Sequence, residues 1–138
     1  MAGSITVTSS GVTGGAGVRK YSVAWTSDAA GAVSGTTFEM PPGTVVAVTT
    51  TPGSGGTQPS DLYDLTVLCS THGTDVLNGE GANLSNATSA HKVPFIGNSG
   101  GTSFVRQWLH GGDYQPVIAN AGNAKTGSFD VYVAPGVL

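Results

Sequence analysis

The chain has 138 residues, and only 9% are Asp, Glu, Lys or Arg, against about 25% in an ordinary soluble domain. Its 22 Gly and 31 Ser and Thr supply most of the polarity, so the surface is polar but almost uncharged. Five basic residues against eight acidic ones leave a net charge of −3, which excludes the basic face that nucleic acid requires and argues against the polybasic cluster of a membrane anchor.

The hydrophobic period is two. Ile5 and Val7 alternate with Ser and Thr, predicting a strand over 4–9. Val18, Lys20, Ser22 and Ala24 alternate with Arg19, Tyr21, Val23 and Trp25, predicting 18–26. Further strands are expected over 36–40, 44–51 (where Val45, Val46 and Val48 run into a Thr tract) and 61–70. The remaining candidates are 74–77, 91–96, 103–109, 114–119 and 126–133, the last with Phe129, Val131 and Val133 alternating with Asp130 and Tyr132. Gly14-Gly15, Pro41-Pro42-Gly43, His72-Gly73, Asn98-Ser99-Gly100-Gly101 and Gly111-Gly112-Asp113 are turn chemistry between them. The stretch 83–90 offers one helical turn capped by Asn83 or Ser85. With no amphipathic helix, repeat or composition shift, residues 1–138 read as a single all-β domain. The expected architecture is an antiparallel β-sandwich or jelly-roll-like barrel.

Chemical motifs are sparse. Cys69 is the lone cysteine, so no intrachain disulfide or CxxC pair exists, and its neighbours Leu65 to Leu68 predict a small buried hydrophobe. His72, His91 and His110 lie far apart at strand ends and turns, which predicts exposed side chains rather than a metal site. Asp61 and Asp64 fall on opposite faces of a strand, unlike the facing carboxylates of a glycosidase. There is no GxSxG elbow, and Pro52 to Pro59 lacks the Lys-Ser or Lys-Thr ending of a phosphate loop, so it reads as a long hairpin tip. No catalytic residue, cofactor or metal ligand is therefore assigned, and an enzyme is not expected. Trp25, Trp108, Tyr21, Tyr63, Tyr114 and Tyr132 could stack on sugars, but Trp25 and Trp108 sit inside strand patterns that predict core positions. Met1 to Thr8 lacks a secretory signal, and no apolar run approaches the roughly 20 residues of a membrane helix. The expectation is a soluble chain made in a cytoplasm.

Few charges leave a protein little means of repelling its own copies, and short Ser, Thr and Gly side chains lose little entropy when covered. Such a surface suits permanent packing between subunits. The N-terminal strand, with Ser4, Ile5, Thr6, Val7 and Thr8, is the candidate contact with a capsid or a sister subunit, and 1–10 the candidate docking arm.

Tyr21 to Gly35, Gly55 to Thr66, Gly81 to Thr88 and the ending Ile118 to Gly127 together resemble small Gly- and Thr-rich structural proteins from the virion genes of tailed bacteriophages. The resemblance implies a capsid decoration (cement) protein on the outer head surface. Its partners would be the major capsid protein and copies of itself, as a homotrimer. A head fibre, tail tube or baseplate component is the alternative within that resemblance, and a carbohydrate-binding module the alternative outside it. No nucleic acid or membrane partner is implied.

Overall fold

The computed structural model describes residues 3–11, 17–97 and 100–136. Among these residues eleven strands follow one another: β1 (Ser4–Gly11), β2 (Arg19–Thr26), β3 (Phe38–Met40), β4 (Gly43–Pro52), β5 (Asp64–Cys69), β6 (Ala90–Lys92), β7 (Phe95–Gly97), β8 (Phe104–Arg106), β9 (Trp108–Leu109), β10 (Gly112–Ala119) and β11 (Thr126–Pro135). All strand pairs are antiparallel. The larger sheet runs β1-β2-β11-β4-β6, with β9 also on β4; the smaller runs β3-β10-β5; β7 and β8 form a separate hairpin. The two main sheets curl around one core, so the chain is an all-β domain, as its period-two patterning predicts.

Alternation decides which side chains enter that core. On β2, Tyr21, Val23 and Trp25 point inward while Ser22 and Ala24 face out; on β11, Phe129, Val131 and Val133 do the same. The smaller sheet answers with Phe38, Met40, Leu65, Val67, Cys69, Tyr114 and Ile118. Burial of these side chains supplies the main stabilisation, about 1.5–3 kcal/mol for each large one. Val45 and Val48 are both fully buried although three residues apart. The register with β11 slips between Tyr132 and Val133, so Val46 is an extra residue in β4 and the parity resets across this bulge.

Pro116 lies inside β10, the central strand of the smaller sheet, where a missing donor is normally costly. It sits opposite Val67, whose own N–H and C=O point the other way, to Asp75 and Val76. On the far side of β10, Val33 exchanges backbone hydrogen bonds with Ile118, and β3 pairs only with Gly112 to Tyr114. Pro116 falls in the gap between them, so its lack of an N–H costs no ladder bond.

Three local expectations are corrected. Residues 74–77 form no strand; they bridge to β5 as an edge cover. Pro52 to Pro59 is not a hairpin tip, because β4 and β5 belong to different sheets; it carries the chain between them through a short 3-10 turn, Gly55–Thr57. No helical turn forms over 83–90. Ser85 Oγ accepts the amides of Ala87 and Thr88 as a helix cap would, but Leu84 is already bridged to Tyr63, and that extended pairing wins.

Candidate interaction surfaces

The five predicted contact residues lie together on β1. Its partner β2 runs alongside without a register break, from Ser4 opposite Thr26 to Gly11 opposite Arg19. Ile5 and Val7 are half-buried and pack on the core, while Ser4, Thr6 and Thr8 are exposed. Residues 4–11 are thus bound into the sheet, and residues 1–2 of the candidate arm lie outside the described residues. Among the described residues no strand pairs with the other edge of β1, where alternate residues turn N–H and C=O away from β2, and contact with another chain would use that open edge.

That edge differs from the others. The outer edge of β5 is sealed by residues 74–84: Cys69 N–H donates to Thr74 O, Val76 N–H to Val67 O and Leu65 N–H to Gly81 O, at 2.8–2.9 Å. β3 and β6 are three residues long and carry Glu39 or His91 and Lys92. β1 is eight residues long, without charge, proline or bulge. Natural edges are normally blunted by one of these devices, and β1 has none.

A second surface was not legible in the sequence. The β7–β8 hairpin exposes Phe95, Ile96, Phe104 and Val105, the last two at 62% each. Trp108, expected in the core, is 44% exposed, which corrects that expectation. The cause is parity: β9 has two residues, and Leu109 takes the inward position at 1% exposure, turning Trp108 out. The other aromatics do not join a platform, since Trp25, Tyr21, Tyr63 and Tyr114 are buried and Tyr132 is half-buried.

The two neighbouring carboxylates, Asp61 and Asp64, serve architecture. Asp61 accepts the amide of Asn86, and Asp64 accepts the amide of Asn83 and Nδ2 of Asn120, so both carboxylates pin loops rather than face one cleft. Cys69 is buried, as its apolar neighbours predict. All three histidines are exposed. His91 Nδ1 lies 3.1 Å from Thr49 Oγ1, whereas His72 and His110 meet with ring centroids 4.6 Å apart. Trp108 also meets His110, with ring centroids 4.9 Å apart and the planes tilted by 46°. Among the described residues no three His, Cys, Asp or Glu side chains converge as a metal site would require, and no helix is long and apolar enough to cross a membrane.

No model of a known protein family matches this chain, and no curated protein or solved structure matches it either.

Proposed function

We propose that this chain is a virion structural protein, a capsid decoration (cement) subunit of a tailed bacteriophage. It would be made in the host cytoplasm and would bind the outer head surface as a homotrimer, contacting the major capsid protein. The observation that carries this reading is the open edge of β1: eight uncharged residues left able to pair, in a molecule whose other long edge is sealed. A strand from a neighbouring subunit laid along β1 would cover the flanks of Ile5 and Val7 and satisfy its free backbone groups. Head-to-tail contacts of this kind close into a ring when the rotation allows. Repeated over a lattice, many modest neutral contacts add up without catalysis or cofactor. The sparse charge supports the same reading, because copies packed side by side meet little repulsion.

The test pairs light scattering with antibody labelling of phage particles from cells that produce the chain. The wild type is expected to be trimeric and the label to decorate heads. Thr6→Lys with Thr8→Lys places charge on the edge without touching the core, and should give a folded monomer that leaves heads unlabelled. A wild-type monomer that labels no particle would sink the proposal, and label on fibres or tails would move the role there.

The exposed Trp108 ring favours one second reading, a carbohydrate-binding module, since sugars stack on such faces. Saturable quenching of tryptophan fluorescence by a glycan panel, lost in Trp108→Ala, would support it.

A further inference from the structure

A pocket of about 140 Å³ opens between the exposed hairpin and the sealed side of the sandwich. Its floor is buried: Cys69 from β5, Val76 from the edge cover, Tyr114 from β10, and Gln107 between β8 and β9. Its rim is exposed and includes Ile96, Trp108 and His110. His110 meets both Trp108 and His72 in tilted ring contacts, so the aromatic wall has neighbours to hold it before anything binds.

Gln107 is the unusual member. It is only 7% exposed, and its Nε2 donates to the carbonyl of Trp108 at 3.1 Å. That bond orients the amide, and Oε1 accepts no hydrogen bond from any described residue. The residue is buried, but Oε1 itself is not a buried unpartnered atom: it stays within reach of solvent at the pocket, where a donor on an entering ring can take the place of water. The volume sets the size of what would bring it. An engineered apolar cavity of about 150 Å³ holds benzene, so this pocket suits one six-membered ring.

We propose that this pocket binds a single aromatic ring bearing one hydrogen-bond donor, a phenol, with its hydroxyl donating to Gln107 Oε1. The ring would lie against Trp108, with Val76 and Tyr114 beneath it. The same chemistry comes from a free phenol or from the tyrosine side chain of another chain. The site is independent of the assembly role proposed above, since it uses neither β1 nor its edge.

The experiment is fluorine NMR with 4-fluorophenol on the full chain. A saturable shift is expected, displaced by unlabelled phenol, and fluorobenzene should bind roughly three- to tenfold more weakly for want of one hydrogen bond. Gln107→Leu should erase that preference. Ile96→Trp, at the exposed rim, should block the mouth and abolish the shift while leaving the core intact, which keeps the test open if Gln107→Leu fails to fold. A tyrosine-containing peptide competing more tightly than phenol identifies the side chain as the source, and the reverse order identifies a small molecule. Three results would overturn the proposal: no saturable shift up to the solubility of the probe, equal binding of fluorobenzene, or an undiminished shift in Ile96→Trp.

Discussion

The carboxylate of Asp75 accepts the backbone amide of Val67 at 3.0 Å, from the place where a further strand would extend the smaller sheet. The same side chain also accepts the amides of Leu77 and Gly79, each at 3.0 Å. One residue outside any strand thereby satisfies a β5 edge donor and folds its own loop against that edge. The seal on β5 depends on this carboxylate, and the contrast with open β1 follows from it.

Removing the acceptor should loosen the seal. Asp75→Ala strands three donors and is expected to cost about 2–4 kcal/mol, whereas Asp75→Asn keeps the oxygen shared by Val67 and Leu77 and should cost about 1 kcal/mol. Urea denaturation reads both values. Hydrogen exchange at the Val67 amide should accelerate in Asp75→Ala, and protection equal to that of the wild type would show that the carboxylate does not hold the edge.

Gly127 stands opposite Trp25 between β11 and β2, and a Cβ at this position would overlap the indole. The indole in turn packs on Tyr63, with ring centroids 5.6 Å apart, so it has little room to retreat. Gly127→Ala is expected to destabilise by about 1–3 kcal/mol through overpacking. Ser128→Ala next to it should change stability by less than about 0.5 kcal/mol. Thermal unfolding of the pair decides the matter, and equal melting temperatures would refute the packing claim.

How much of this was legible in the sequence follows from how local each signal is. Strict alternation in β1, β2 and β11 carries its own burial pattern, so these strands, and the place of Ser4 to Thr8 on the first of them, were readable directly. Val45-Val46-Ala47-Val48 was not, because one inserted residue resets the parity and its position depends on β11 across the sheet. The inward set Gln107 and Leu109 was hidden for a related reason: a bulky Trp between them looks like the better core residue until pairing with β4 fixes the parity. The meeting of His72 with His110, and the open Oε1 of Gln107, arise only when β5, β9 and the edge cover come together. Nothing in the spacing of those residues encodes that meeting.

Burial predicts opposite outcomes at two nearby positions on β9 and β8. Leu109→Ala empties a fully buried site and is expected to cost about 2–5 kcal/mol. Val105→Lys, on the exposed hairpin, should stay within about 0.5 kcal/mol of the wild type. Chemical denaturation of the two variants separates core from surface. A large loss in Val105→Lys would mean that the hairpin contributes to folding rather than to contact.

Stability should also fall in alkali, because a buried phenol resists ionisation. Burial pushes the Tyr63 phenol from its ordinary value of 10.0 up to about 12, and burial also raises Tyr21 and Tyr114. Between pH 10 and 12 the unfolded chain has lost the Tyr63 proton while the folded one keeps it, so raising the pH favours unfolding. The contribution is complete below pH 10 and is lost as pH climbs through the folded value near 12. Tyr63→Phe cannot ionise, so its denaturation midpoint should decline less steeply across that window than the wild type's. The remaining slope belongs to Tyr21 and Tyr114. If the variant declines as steeply as the wild type, the buried Tyr63 phenol is not a source of the alkaline sensitivity.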